Sequence, residues 1–245
     1  MNDSMERHGK GNPHDLTPRQ AFMILASWLA VVAAVVFGNS EARDVVRARF
    51  HRKTVAQRTA SIAIAKPEVV EAAGQIHGDL AILVFKNERS VELHADGWEK
   101  PRVYRMTGFN GMLGPKLREG DGQIPEGIYG IEYLNPNSAF HLSLKVSYPG
   151  AFDRRHARED GRRNLGGDIM IHGGSATVGC IPIGDDAIEE VFYFVAKAGM
   201  GNTSVIIAPY DMRKGRVAEL ERSPVPWYGA LCDEIARRLS KFPSL

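Results

Sequence analysis

The stretch from Asp168 to Ile183 constrains this chain more than any other part of the sequence. It reads Asp-Ile-Met-Ile-His-Gly-Gly-Ser-Ala-Thr-Val-Gly-Cys-Ile-Pro-Ile. The apolar run before His172 predicts a short strand that ends at this histidine. A loop of small residues follows, and Gly179 allows the tight turn that presents Cys180. The sequence therefore predicts a strand, a loop and a turn that bring an imidazole and a thiol together.

These residue types suit thiol chemistry. A thiolate is the reactive form of cysteine, and a neighbouring imidazole can accept the thiol proton. A loop of small residues leaves backbone N–H groups free beside the sulfur, where they can stabilise an oxyanion. The alternative is structural, because a lone cysteine is often a small buried hydrophobe and a lone histidine is often a hydrogen-bonded structural residue. A structural zinc site needs more ligands than one cysteine and one histidine.

Four stretches occur in an order that is also found in a known family. They are His172–Ile181, Asp121–Gly127, Asn135–Leu144 and Tyr148–Arg154. The His172–Ile181 stretch resembles the active-site signature of the L,D-transpeptidase catalytic domain (YkuD-type), a family of cysteine acyltransferases of the bacterial cell wall. The Asp121–Gly127 stretch resembles the family's Thr-Pro-x-Gly turn, with Ile in the place of Thr. The last two stretches are similar to the YafK-like branch, and the resemblance covers about residues 79–210.

Two features depart from the pattern of most members. Cys180 follows His172 by only eight positions, and Val178 precedes Gly179 where Ser-His is usual. This short form is similar to the YafK-like branch. Many members also carry Arg two residues after the cysteine, where this chain has Pro182. An arginine there would suit a substrate carboxylate, so its absence puts the usual recognition of the acceptor or donor in doubt.

The resemblance implies a mostly β domain, like a β-sandwich or barrel, with a few flanking helices. It implies that Cys180 is the nucleophile, that His172 is the base, and that the Gly173 carbonyl orients the imidazole. Backbone N–H groups around Gly179 and Cys180 would hold the oxyanion. The implied substrate is the tetrapeptide stem of peptidoglycan, attacked between meso-diaminopimelate and the terminal D-residue. No metal or cofactor is implied.

The fate of the thioester is left open by the sequence. An amine acceptor gives transpeptidation and water gives hydrolysis, with the same residues up to the thioester. The YafK-like branch makes hydrolysis of a bond between diaminopimelate and a wall-attached protein an alternative. A third hypothesis is a wall-binding module without catalysis, and the presence of both Cys180 and His172 argues against it.

Length, charge and cysteine content limit the fold size and the partners that the chain can have. With 245 residues, of which 44% are hydrophobic, the chain can bury one good core and some extra elements. A net charge of +2 is too small to indicate a nucleic-acid partner. The resemblance requires Cys180 as a free thiol, so a stable disulfide with Cys232 is not expected.

The N-terminal part predicts membrane targeting. Residues 1–20 are polar and predicted to be disordered. Residues 21–38 carry no charge, which predicts a signal peptide or an inner-membrane anchor, with a buried core helix as the alternative. Residues 41–78 form a basic segment that is helical up to residue 60 and then linker-like, with a short helix from Pro67. Its positive charge favours the cytoplasm, but the resemblance favours the periplasm or cell envelope, and we predict export.

Alternating and apolar runs predict the strands of the catalytic region, residues 79–210. They are placed at 79–86, 90–94, 102–107, 127–133, 140–146 and 204–208, the first two as a hairpin. The alternation over 140–146 puts Phe140 on the core side and makes His141 a candidate substrate-binding residue. Residues 150–167 predict a flexible charged loop, whose Arg154 and Arg158 would clamp a carboxylate. The alternatives are a structural or solvated histidine and a solvated surface loop.

Two further helices are predicted after Cys180. The first is capped by Asp185 or Asp186, buries Ile188 and its neighbours at helical spacing, and ends at Gly199. Residues 211–245 form a C-terminal extension with an amphipathic helix over 227–240. Cys232 lies beside the apolar face of that helix and is predicted to be unreactive packing.

Overall fold

The computed structural model describes Met23 and residues 52–223 and 225–245. The chain divides into two compact units, residues 1–52 and 53–245. The strands and helices named below belong to the second unit.

Most of the predicted N-terminal features therefore lie outside the described residues. This holds for residues 1–20, for residues 21–38 apart from Met23, and for residues 41–51 of the helix predicted up to residue 60. The described part of that helix begins at Val55 and continues to Ala65, beyond the predicted end. Within the part of the chain that the structure describes, no helix combines the length and apolarity needed to cross a membrane.

Eight strands of the described residues form one mixed sheet. They are β1 (Leu80–Phe85), β2 (Ser90–Ala95), β3 (Arg102–Arg105), β4 (Gly127–Ser138), β5 (His141–Val146), β6 (Met170–His172), β7 (Ile181–Pro182) and β8 (Thr203–Ala208). The order across the sheet is β3-β2-β1-β8-β4-β5-β6-β7. Neighbouring strands are antiparallel, except for the parallel pairs β1–β8 and β6–β7. The predicted hairpin is confirmed as β1 and β2.

Five α-helices flank this sheet in the described residues. They are α1 (Val55–Ala65), α2 (Pro67–Gly74), α3 (Ala151–Glu159), α4 (Asp185–Ala198) and α5 (Tyr228–Leu239). Short 3₁₀ turns lie at Met200–Asn202, Met212–Lys214 and Ala218–Glu221. The prediction of a β domain with flanking helices is confirmed at this level.

Strand β4 connects the two halves of the sheet. It pairs with β8 through Gly127–Gly130 and with β5 from Ile131 onward. The alternating pattern predicts a strand that ends at residue 133, but β4 continues to Ser138 because pairing with β5 satisfies its backbone groups. The β5–β6–β7 half of the sheet carries the candidate site.

The central strands are buried on both faces, which explains their continuous apolar sequences. Along β1, alternate residues enter two separate cores. Helix α4 covers the first core with Ile188, Val191, Phe192 and Val195, and α5 covers the second with Leu231, Cys232, Ile235 and Leu239. Burial raises the pKa of the Cys232 thiol to about 12, which agrees with the unreactive role predicted for it.

The prediction of a flexible loop after residue 150 is wrong, because Ala151–Glu159 forms α3. The Asp153 carboxylate accepts a hydrogen bond from the Gly150 N–H at 2.7 Å and so satisfies a free donor at the helix start. Phe152 packs against the second core. The arginines that suggested a loop are good helix formers, and on α3 they lie on the exposed side.

Candidate active site

The pairing of β6 with β7 brings together the two segments that carry His172 and Cys180. Ile171 pairs with Ile181 in parallel register, so Cys180, one residue earlier, lies level with Met170. His172 ends β6 and Cys180 directly precedes β7, so the pairing of these two strands holds the two residues near each other.

The imidazole of His172 is held in one tautomer. His172 is 2% exposed, and its Nδ1 lies 2.6 Å from the Gly173 carbonyl oxygen. A carbonyl oxygen can only accept, so Nδ1 carries the proton and Nε2 is left as the basic nitrogen. Burial lowers the pKa of His172, although the hydrogen bond to Gly173 opposes this shift. The ring is therefore neutral near pH 7, as a general base must be.

The basic nitrogen of His172 is open to a reaction partner. Within the described residues, Nε2 forms no hydrogen bond, and it is not among the fully buried polar atoms that lack a partner. The ring of Phe140 lies against the imidazole, with 4.7 Å between the ring centroids. The Phe140 side chain therefore packs against the His172 ring.

The thiol of Cys180 is half-buried and turned toward the start of β6. Its Sγ lies 3.5 Å from the Asp168 carbonyl oxygen, and it forms no hydrogen bond to His172 within the described residues. Burial raises the pKa of Cys180, against an opposing contribution from the Met170 N–H. The resting pair is thus a neutral thiol and a neutral imidazole. Because the two side chains are not hydrogen-bonded, Sγ and Nε2 must approach each other before the proton can move.

Two free backbone donors lie beside the sulfur. Among the described residues, no acceptor pairs with the N–H of Gly179 or with the N–H of Cys180. The Cys180 carbonyl is used, since it accepts a hydrogen bond from the Thr177 hydroxyl at 2.7 Å. Unpaired N–H groups next to a nucleophile are the donors that an oxyanion requires.

The sequence around this pair matches a known family. The family model of the L,D-transpeptidase catalytic domain, YkuD, matches residues 79–207, which is more than half of the chain and includes His172 and Cys180. The chain belongs to this family.

Named relatives of the L,D-transpeptidase family are similar to this chain. "Putative L,D-transpeptidase YafK" of Escherichia coli (strain K12) is 34% identical over 139 residues, which cover 54% of this chain and 54% of YafK. The chain thus spans about half the length of this relative.

Solved structures share lower identity. The helical cell shape determining protein Pgp2 from Campylobacter jejuni is 22% identical, with a TM-score of 0.43, covering 59% of this chain and 55% of Pgp2. L,D-transpeptidase 1 from Mycobacterium tuberculosis is 14% identical, with a TM-score of 0.32, covering 54% of this chain and 62% of that protein.

Asp185 and Thr107 fix the loop after His172 in this L,D-transpeptidase domain. Asp185 Oδ1 accepts a hydrogen bond from the Gly174 N–H at 2.7 Å, and the Thr107 hydroxyl donates to the Gly174 carbonyl at 2.6 Å. A Cβ at Gly173 would lie 2.7 Å from the Phe140 carbonyl oxygen, so a side chain there would displace the backbone. The predicted cap at Asp185 or Asp186 is wrong, since Gly184 precedes α4 and no side chain caps it. No sequence pattern indicated the loop-fixing role of Asp185.

Gly179 lies between the nucleophile and a second loop. Its φ is +92°, and a Cβ there would lie 2.9 Å from the Gln123 carbonyl oxygen. Both features exclude a side chain, because the left-handed backbone is strained for other residues and the space is filled. The loop that ends in the predicted Asp121–Gly127 turn therefore packs directly on the residue before Cys180.

Gly179→Ala is expected to lower the free energy of unfolding by about 1–3 kcal/mol, the strain of a left-handed non-glycine residue. The Cβ would also displace Gln123 and move the N–H groups beside Cys180. Chemical denaturation measures the loss of stability. Gly201→Ala is the matched control, because a Cβ at Gly201 meets nothing within 4 Å. Equal stability of the two variants would contradict the packing described for Gly179.

The structure places His141 and Phe140 differently from the alternating pattern. His141 has a φ of +69°, which interrupts the alternation, and β5 begins at this residue. Phe140 is 45% exposed, so its prediction as a core residue is wrong. His141 Nε2 lies 2.8 Å from Glu189 Oε1 on α4. A substrate role for His141 stays a prediction, now with Glu189 as its structural partner.

The two predicted carboxylate-binding arginines lie on α3. The Arg154 guanidinium donates a hydrogen bond to the Pro149 carbonyl, and Arg158 is exposed. Within the described residues, neither side chain forms a hydrogen bond or ion pair with His172 or Cys180. The structure therefore does not bring them together with the site, and their substrate role stays a prediction.

Proposed function

We propose that this chain is a cysteine-dependent L,D-transpeptidase that acts on the tetrapeptide stems of peptidoglycan through a thioester. One observation carries the proposal. The Gly173 carbonyl fixes the His172 proton on Nδ1 and leaves Nε2 basic, at the end of β6, whose partner strand β7 begins directly after Cys180. Membership of the L,D-transpeptidase family supports peptidoglycan as the substrate class.

In the proposed first step, Nε2 of His172 takes the thiol proton, and Sγ of Cys180 attacks the carbonyl carbon between meso-diaminopimelate and the terminal D-residue. The oxyanion accepts hydrogen bonds from the N–H groups of Gly179 and Cys180. The C–N bond then breaks, His172 gives its proton to the leaving amine, and a thioester on Cys180 remains.

In the second step, an acceptor amine attacks the thioester carbonyl and gives up a proton to His172. The C–S bond breaks, the thiol is regenerated, and a new amide links two stems. Water in place of the amine gives hydrolysis, including release of a wall-attached protein joined through diaminopimelate. Because the substrate lies outside the inner membrane, we place this reaction in the periplasm or cell envelope, with residues 21–38 as the signal peptide or membrane anchor.

The test is incubation of the purified protein with defined disaccharide-tetrapeptide muropeptides. We expect cross-linked products that have lost the terminal D-residue, and an acyl adduct that peptide mapping assigns to Cys180. Shortened stems without cross-links would show that the protein is a hydrolase rather than a transferase. Binding to sacculi without adduct or turnover would leave the wall-binding module and overturn the enzymatic proposal.

A further inference from the structure

A cleft of about 620 Å³ lies between the loop that packs on Gly179 and the segment that precedes β6. It is lined by Pro115, Leu117, Arg118, Asp121, Gln123, Arg162, Arg163 and Asn164. These residues come from two segments, 115–123 and 162–164, which form its two walls. No sequence motif pointed to this cleft, because the segments are far apart in the chain.

The two walls are joined by hydrogen bonds. Arg162 donates to the Leu117 carbonyl at 3.1 Å, and the Glu119 N–H donates to the Asn164 carbonyl at 3.1 Å. The Asn164 amide also donates to the Glu119 carboxylate at 2.6 Å. The cleft is therefore an ordered part of the fold rather than a gap between independent loops.

Two of the charged groups that line the cleft are already paired. Arg162 contacts the Asp160 carboxylate at 2.9 Å and lies over the Trp227 ring. Asp121 binds the Lys116 ammonium at 2.6 Å, and its oxygens also accept the N–H groups of its own loop. Because Arg162 and Asp121 are neutralised by these partners, a ligand in the cleft would not meet their charges.

Arg118 and Arg163 are the uncompensated charges. Both are exposed, and within the described residues neither guanidinium has a carboxylate partner or a side-chain hydrogen bond. Glu119 is the acidic neighbour, and its carboxylate accepts from the amide of Asn164. The cleft thus presents two guanidinium groups, each able to donate two parallel hydrogen bonds to one carboxylate.

Both walls lead to the thiol. Gln123 lines the cleft, and its carbonyl oxygen lies against Gly179, the residue before Cys180. The other wall continues from Asn164 into Asp168, whose carbonyl oxygen lies 3.5 Å from the Cys180 sulfur. A peptide whose scissile carbonyl lies at Cys180 therefore has the cleft as its adjoining surface.

We propose that this cleft binds a free carboxylate of the peptide stem, with Arg118 and Arg163 as its carboxylate-binding residues. The inference rests on the proposed function, since the ligand is the substrate of that reaction. It assigns to Arg118 and Arg163 the task that Pro182, in place of an arginine, cannot perform. It also replaces Arg154 and Arg158 in that task.

The test measures non-covalent binding to the Cys180→Ala protein, so that turnover is not needed. Two fluorescent tetrapeptide stems are compared, identical except that one carries the free carboxylate of diaminopimelate as a carboxamide. Arg118→Gln and Arg163→Gln are each expected to weaken binding of the carboxylate stem by about 10-fold or more, as for a hydrogen bond to a charged group. Binding of the carboxamide stem is expected to stay unchanged.

Arg237→Gln is the matched control, because Arg237 is an exposed arginine that does not line the cleft. It lies on α5, the helix that covers the second core. Arg163→Lys should recover part of the affinity, since an ammonium keeps the charge without the two parallel hydrogen bonds. Equal weakening of both stems, an equal effect of Arg237→Gln, or no binding of either stem would each overturn the cleft assignment. Failure of the muropeptide assay with carboxylate-selective binding intact would overturn the proposed catalysis alone.

Discussion

Replacing His172 with alanine is expected to slow acylation of Cys180 by about 10²–10⁴-fold, the contribution of a positioned general base. The reason is the resting state of the pair. Burial raises the pKa of the Cys180 thiol, so little thiolate exists before the substrate arrives. The proton must therefore leave during the attack, and Nε2 of His172 is the acceptor that the Gly173 hydrogen bond leaves basic. Intact mass spectrometry of a single turnover measures the thioester.

The pH dependence separates this role from a structural one. Burial lowers the pKa of His172 below its ordinary 6.5, so the imidazole stays neutral through that pH. Wild-type acylation is expected to change little from about pH 8 to 6.5 and to fall below that, as Nε2 gains a proton. In His172→Ala, the rate should instead rise steadily with pH, because only the thiolate fraction of Cys180 reacts.

Two controls bound the His172 prediction. His77→Ala removes an exposed histidine and should leave the rate and its pH profile unchanged. Cys180→Ala should form no thioester at any pH. The general-base role is excluded if His172→Ala, folded as wild type by circular dichroism, acylates at the wild-type rate with the wild-type pH profile.

The parts of the site that the sequence predicts are those that lie close together along the chain. His172, Gly173, Gly179 and Cys180 fall within one short strand, loop and turn, so local rules place them together. The strands of the first core are also predictable. A strand that is buried on one face alternates apolar and polar residues, and a strand that is buried on both faces is continuously apolar.

The missed features depend on contacts between distant segments. Phe140 covers His172 because the left-handed backbone of His141 changes the face, and no side-chain pattern encodes that angle. Helix α3 packs Phe152 against the second core, a contact that its local sequence does not indicate. The cleft forms only when residues 115–123 meet residues 162–164. In each case tertiary contacts override the local signal.

A buried ion pair holds the loop that packs on Gly179. The Lys86 ammonium lies 2.8 Å from Glu126 Oε1, with both side chains fully buried. It also donates to the carbonyls of Gly114 at 2.8 Å and Ile124 at 3.0 Å. Glu126 accepts from the Gly114 N–H and from the Tyr228 hydroxyl. One pair thus ties both ends of the loop to β1 and to α5.

Glu126→Ala is expected to lower the free energy of unfolding by about 3–5 kcal/mol, because it leaves a buried ammonium without its counterion. Burial already lowers the pKa of Lys86, and Glu126 opposes that shift. Without Glu126, folded Lys86 loses its proton more readily than unfolded lysine. The unfolded state then binds more protons, so the variant should regain stability as the pH rises toward 10.5. Chemical denaturation followed by tryptophan fluorescence measures both effects.

The double variant Lys86→Met, Glu126→Leu separates the pair from the loop. Removing both charges leaves no unpaired ion, so the double variant should lose less stability than the two single variants combined, by about 1–3 kcal/mol. Asp186→Ala breaks an exposed pair with Lys66 and should cost at most about 1 kcal/mol. If Glu126→Ala costs no more than Asp186→Ala, the pair does not anchor the loop. If the pair does anchor the loop, each single variant should also lose acylation activity, because the loop contacts Gly179 through Gln123.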